Sequence, residues 1–187
     1  MMNKVLCSLL LFLSISCGLQ GRNANYARDS KRIWLDSKEI HHGEYVWKMK
    51  KAGDVISSAE KVSTLGYDTS DWLSAIVPGT VLNSLVYNKE YPEPYYGVNN
   101  KLESGKIPDI SKVGREFYTY WFRTEFDVPE SFAGKTIWLQ PDGVNYRAEI
   151  WVNGNLLSTL NGMFISDYIN VTDFVKVGRK NILAVKV

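Results

Sequence analysis

Phe122-Arg123-Thr124-Glu125-Phe126-Asp127-Val128, closed by Pro129, decides the fold class. Phe122, Thr124, Phe126 and Val128 fall on one parity and Arg123, Glu125 and Asp127 on the other, the pattern of an antiparallel strand with one face buried and one face wet. Working outward, a short apolar run at 136–140 is stopped by Pro141-Asp142-Gly143, and residues 147–152 place Ala148, Ile150 and Val152 on one side. Asn153-Gly154 then supplies the two positive-φ residues that a type I′ hairpin requires, and 156–160 returns antiparallel. Residues 164–169, 181–187 and 44–50 read as further strands, with 171–178 as a turn or helical loop closed by Gly178. The one good helix follows Val77-Pro78-Gly79, where Thr80 caps residues 81–87 with Leu82, Leu85 and Val86 turned inward. Six or more short strands and little helix predict an all-β jelly-roll β-sandwich with one short helix.

Composition agrees with a folded domain. The 187 residues are 45% hydrophobic and 22% charged, which sets aside disorder, collagen and a polytopic membrane protein. A formal charge of +2, evenly scattered, gives no clustered basic face for nucleic acid. Aromatic residues make up 13% of the chain, an excess that suits strands and also suits surfaces that stack on sugar rings.

The chain begins with an export signal. Lys4 precedes an apolar run from Val5 to Ile15, shorter than the roughly 20 residues a bilayer span needs and matched to a secretory leader. Ser14-Ile15-Ser16 reads as a small-residue cleavage site, and the same stretch ending at Cys17 reads equally as a lipoprotein box with Ser14 in place of the usual Leu. The expected organisation is therefore a signal peptide over 1–16, a flexible tether over 17–32 and one folded domain over 33–187. Export places the protein in the periplasm, outside the cell, or lipid-anchored through Cys17 at the cell envelope. Cys7 leaves with the leader, so no internal disulfide can form and stability rests on the core.

The sequence holds little catalytic material. Metal-ligand spacings, phosphate-cradling glycine loops and nucleophile elbows do not occur, so no metal site and no cofactor is expected. His41 and His42 are adjacent, and on a strand they would point to opposite faces, as solvated residues ahead of the first strand. Asp109, Glu116 and Glu149 are the carboxylates available in principle as acid and base, and they read first as surface or salt-bridged strand positions. Trp72, Trp121, Trp138 and Trp151 lie in strand-like runs and are expected in the core or an interface. Tyr95, Tyr96, Asn99 and Asn100, in a long Pro- and Gly-bearing stretch between 88 and 116, are the candidates for contact with a sugar. Flat aromatic faces and amides that both donate and accept suit its rings and hydroxyls.

Five motifs occur in order: Val77-Pro78-Gly79-Thr80-Val81-Leu82, Tyr91-Pro92-Glu93-Pro94-Tyr95-Tyr96-Gly97-Val98-Asn99-Asn100, Gly114-Arg115-Glu116-Phe117-Tyr118-Thr119-Tyr120-Trp121-Phe122-Arg123, Ala148-Glu149-Ile150-Trp151-Val152-Asn153-Gly154, and the closing Gly178 to Val187. Together they resemble the amino-terminal sugar-binding domain of glycoside hydrolase family 2. The second and third motifs look most like the branch of exo-β-glucosaminidases, β-mannosidases and mannosylglycoprotein endo-β-mannosidases. The resemblance spans roughly residues 47 to 187. It implies a jelly roll joined to immunoglobulin-like sandwiches and a TIM barrel, the barrel carrying two glutamates for retaining hydrolysis about 5 to 5.5 Å apart. Those glutamates would lie beyond Val187, so no catalytic residue is assigned here.

The partners the resemblance implies are a β-linked oligosaccharide or glycan and the remaining domains of the same polypeptide. Asn181-Ile182-Leu183-Ala184-Val185-Lys186-Val187 ends the chain in mid-strand and predicts a fragment of a longer protein. Two other readings compete: a stand-alone carbohydrate-binding module, and a packing scaffold with no ligand.

Overall fold

The structure is a computed structural model that describes residues 12–18, 32–163 and 165–187. Residues 1–11, with most of the expected leader and Cys7, and residues 19–31, with most of the expected tether, lie outside the described residues, as does Phe164. The strands are β1 (Phe12–Gly18), β2 (Arg32–Trp34), β3 (Trp47–Lys51), β4 (Leu73–Ser74), β5 (Tyr120–Asp127), β6 (Thr136–Gly143), β7 (Arg147–Val152), β8 (Asn155–Asn161), β9 (Ile169–Asn170) and β10 (Lys180–Lys186). They form a four-stranded sheet, β2-β1-β6-β9, and a six-stranded sheet, β4-β3-β5-β10-β7-β8, every pairing antiparallel.

One core fills the space between the layers. Met49, Phe122, Phe126, Ile150, Leu183 and Val185 from the larger sheet meet Ile137, Leu139 and Ile169 from the smaller. Burial of this apolar surface, at about 25 cal/mol per Å², is the main favourable term. Trp47 lies in the same core and donates its indole N–H to the Leu35 carbonyl at 2.6 Å, satisfying a polar group that burial would otherwise orphan.

The six-stranded sheet is covered on its outer face as well. Val62, Trp72, Trp121, Trp151 and Ala184 form a second cluster beneath the segment that carries α1 (Ala59–Val62). Arg123, expected on the wet face of its strand, is 4% exposed because this cover closes over it. Its guanidinium donates to the carbonyls of Val62 and Thr64, both at 3.0 Å, so the arginine fastens the cover to the sheet.

Local chemistry explains the helix and the hairpin. Thr80 Oγ1 accepts the Asn83 N–H at 2.8 Å and starts α2 (Val81–Tyr87), as the capping residue predicts. The buried face is Val81, Ser84 and Leu85, one position off the expected set, because Ser84 Oγ is used to accept the Ile76 N–H. Gly79 is required just before it, since a Cβ there would stand 2.6 Å from the Ile76 carbonyl oxygen. At the β7–β8 turn Asn153 has φ 49° and Gly154 φ 86°, the expected hairpin geometry.

Several expectations need correction. A further short helix, α3 (Ile110–Val113), lies in the long stretch, so α2 is not the sole helix. β6 runs through Pro141 to Gly143. Ile137 gives its N–H to Thr172 and takes the Val171 N–H, and the Pro141 carbonyl takes the Asp167 N–H, so odd-numbered β6 residues direct their backbone groups away from β1. Proline therefore removes no donor from the β1–β6 ladder. Of the strand expected over 164–169, Ile169 pairs in β9 and Ile165 makes one bridge to Val144, while Asp167 spends its side chain on the Tyr168 N–H and its own N–H on the Pro141 carbonyl. His41 and His42 are exposed ahead of β3, as expected; they sit on a turn with rings 4.3 Å apart.

Asn181, fully buried at the head of β10, accepts from the Lys176 N–H and from Asn153 Nδ2 and donates to the Lys176 and Arg179 carbonyls. Asn153 in turn accepts the Ile182 N–H at 2.9 Å. Asn181→Ala removes four hydrogen bonds from a fully buried position and is expected to cost about 3 kcal/mol. Urea unfolding should show a lowered midpoint at unchanged slope.

Candidate functional site

The long segment between α2 and β5 is a packed loop with its own hydrogen bonds. It leaves α2 where Asn88 grips the sheet edge, accepting the Ser74 N–H at 3.2 Å and donating to the Ser74 carbonyl at 2.7 Å. It returns to the head of β5, where Tyr120 exchanges both backbone bonds with Val187 at 2.9 Å. Tyr91 and Tyr118 anchor it by packing on the main core.

On this frame the candidate residues separate. Tyr95 is 93% exposed and Tyr96 77%, presenting two aromatic faces to solvent on adjacent residues, with Asn100 also exposed. Asn99, at 7%, turns inward: its Nδ2 donates to the Glu93 carbonyl at 2.9 Å and its Oδ1 accepts from Lys106 Nζ at 3.0 Å. Asn99 thus ties the loop together and holds up the turn that displays Tyr95 and Tyr96. The structure groups these four residues on one loop and gives them different tasks. Nothing in the spacing of the sequence separates Asn99 from Asn100; the difference follows from the folded path of the loop.

The carboxylates weighed as acid and base are dispersed. Asp109 caps α3, accepting from the Ser111 N–H at 3.0 Å and the Ser111 hydroxyl at 2.7 Å, and these bonds hold its carboxyl below the usual range. Glu116 is exposed in the 3₁₀ turn over Arg115–Tyr118, and Glu149 stands in β7 opposite Lys186 and Thr159. Among the described residues no group of three His, Cys, Asp or Glu is placed to hold a metal ion. Cys17 belongs by its backbone to β1, opposite Ile137.

A second polar feature lies toward the far end of β5. An open groove of about 540 Å³ is bounded by Lys38, Glu44, Lys48, Arg123, Glu125 and Lys180. Within it, Glu125 lies 3.7 Å from Arg123 and 3.9 Å from Lys180. The Arg123 pKa is depressed by burial, with Glu125 opposing that shift.

Beneath the exposed loop, Tyr91, Tyr118 and Tyr120 all have phenol pKa values raised, chiefly by burial. Tyr120 is pushed up to about 12 by burial and then by its neighbours Tyr91 and Tyr118. A phenol that keeps its proton longer when folded stabilises the fold fully below pH about 10, its unfolded value, and loses that contribution as the pH rises toward about 12. Unfolding free energy is therefore expected to fall across that window, with a shallower fall in Tyr120→Phe, measured by urea titration at each pH.

Comparison with known proteins converges on one family. The model for the glycosyl hydrolase 2 galactose-binding domain-like family matches residues 47–187. The chain is 40% identical over 119 residues to the mannosylglycoprotein endo-β-mannosidase of Lilium longiflorum, covering 64% of this chain and 12% of that one. It is 28% identical over 126 residues to the exo-β-D-glucosaminidase of Amycolatopsis orientalis, covering 66% and 11%. The crystal structure of the exo-chitosanase from Amycolatopsis orientalis superposes with a TM-score of 0.63 at 26% identity, over 76% of this chain and 16% of that one. The chain thus spans about an eighth of the length of the curated relatives it matches. By its sequence from residue 47 onward and by its two-layered fold, the chain belongs to the galactose-binding-like domains of glycosyl hydrolase family 2.

Proposed function

We propose that the chain is the amino-terminal accessory lobe of an exported, retaining β-glycosidase acting on β-mannosides or β-glucosaminides. The observation that carries this reading is the family match over residues 47–187, on a fold whose candidate carboxylates serve as a helix cap or stand apart on the surface. Hydrolysis with retention requires two carboxyls about 5 to 5.5 Å apart, and a separate domain of the same polypeptide supplies them. The substrate class follows the mannosidase and glucosaminidase relatives.

In this reading the lobe narrows the mouth of the substrate cleft. Tyr95 and Tyr96 offer apolar plates to a sugar ring and Asn100 an amide to its hydroxyls, orienting the β-linked oligosaccharide while the bond is broken elsewhere. The leader over 1–16 directs export to the periplasm or the outside, and Cys17 serves as a lipid attachment point if the lipoprotein peptidase cleaves before it.

The test is a pair of hydrolysis assays on nitrophenyl β-mannoside and nitrophenyl β-glucosaminide. The 187-residue chain alone is expected to release no nitrophenol, whereas the product of the gene read through past residue 187 should cleave one of the two. In that longer product the double change Tyr95→Ala and Tyr96→Ala should raise KM about fivefold, with a smaller change in kcat, as loss of roughly 1 kcal/mol of stacking predicts. Turnover by the 187-residue chain itself would refute the reading. The exposure of Tyr95 and Tyr96 also favours a second reading, a stand-alone carbohydrate-binding module. Calorimetric binding of mannan or chitosan oligosaccharides by the 187-residue chain, lost on the same two changes, would support that module, and the absence of detectable binding would remove it.

A further inference from the structure

We propose that Lys106 is the positioning residue of the tyrosine platform, acting on Tyr95 and Tyr96 through Asn99 and Glu93. This role rests on the proposed contact of those two rings with a sugar, and it concerns what fixes the rings in place. Tyr95 is 93% exposed and Tyr96 77%, so neither ring is set by packing of its own. The turn beneath them decides where they stand.

Glu93 holds both tyrosine backbones. Its side-chain Oε1 accepts the Tyr95 N–H at 3.3 Å, and its carbonyl accepts the Tyr96 N–H at 3.2 Å. That carbonyl also takes Asn99 Nδ2 at 2.9 Å, while the Asn99 N–H goes to the Tyr96 carbonyl at 3.2 Å. Asn99 thus grips the turn at both of its ends.

An amide can turn either its oxygen or its nitrogen toward a given neighbour, and one orientation alone serves this turn. The Glu93 carbonyl needs a donor, so Nδ2 faces it, and Oδ1 must find a donor elsewhere at a residue 7% exposed. Lys106 Nζ supplies that donor at 3.0 Å. An ammonium carries donors and no acceptor, so it cannot bond the Asn99 amide in its flipped orientation. Among the described residues Lys106 forms no ion pair, and its charge serves this one amide through a charge-assisted bond.

The lysine is itself held. Gly105, with φ 63° in the left-handed region, makes the reversal just before it. The Lys106 N–H then donates to Ser104 Oγ at 3.3 Å, and that hydroxyl donates to the Asn99 carbonyl at 3.2 Å and the Lys101 carbonyl at 2.8 Å. Main chain and side chain of Lys106 both lead back to Asn99, closing a ring of bonds under the tyrosine turn.

Hydrogen exchange on the 187-residue chain tests this relay. Lys106→Met keeps the apolar stem and removes the donor. Peptides covering residues 93–100 should then exchange at least about fivefold faster, with peptides of β5 and β10 unchanged. Lys106→Arg, which keeps a charged donor, should restore the slow rate. Unchanged exchange over 93–100 in Lys106→Met, or equal acceleration in β5 and β10, would overturn the proposal. In the product of the gene read through past residue 187, Lys106→Met should raise KM about threefold with kcat little changed, and should add nothing once Tyr95 and Tyr96 are both alanine. An equal rise in both backgrounds, or a KM that responds to the tyrosine changes but not to Lys106→Met, refutes the role of Lys106 alone. A KM indifferent to the tyrosines refutes the platform, and the positioning role with it.

Discussion

β10 lies between β5 and β7, and the rest of the larger sheet depends on that placement. Its residues Asn181, Ile182, Leu183, Ala184 and Val185 are all fully buried, because Leu183 and Val185 enter the main core while Ala184 lies under the tryptophans of the outer cluster. A strand covered on both faces must be apolar nearly throughout, and Ala184 must be small where Trp121 and Trp151 converge. Since β10 is late in the chain and pairs with β5 some sixty residues earlier, sheet formation waits on non-local contacts.

Polar groups at the margins make this arrangement specific. The Asn153–Asn181 pair joins the tight β7–β8 hairpin to the start of β10, and Arg123 pins the α1 cover through two backbone carbonyls. Ser37, also buried, accepts the Val77 N–H at 3.1 Å and so positions the turn that launches α2. Asn181, Arg123 and Ser37 are each buried polar side chains that bond backbone groups otherwise left orphaned.

The surface follows from the same economy of groups. Side chains used to brace the long loop, Asn99 and Asn88 among them, face inward, and this leaves Tyr95 and Tyr96 as its outermost features. In the function proposed above, these exposed rings orient a sugar while bond cleavage falls to carboxylates of another domain. In the charged groove beside β5, Glu125 stands within 4 Å of both Arg123 and Lys180.

Much of the fold could be read before any coordinates. The alternation around Phe122, the Asn153-Gly154 turn, the Thr80 cap and the apolar run of β10 report local rules, namely side-chain period, positive φ and orphaned helix donors, and each appears where expected. The order of motifs was also enough to reach the family. Other features depended on partners distant in sequence. Arg123 is buried because residues 62 and 64 fold over it, and Pro141 is tolerated because its backbone faces Asp167 rather than the β1 ladder. The sequence by itself therefore determined the strands β3, β5, β7, β8 and β10 and the side each turns to the main core, since those follow from neighbours along the chain. Only the tertiary structure decided which polar groups are spent inside the fold, because a hydrogen bond to a remote backbone group leaves no periodic mark on the residues that make it.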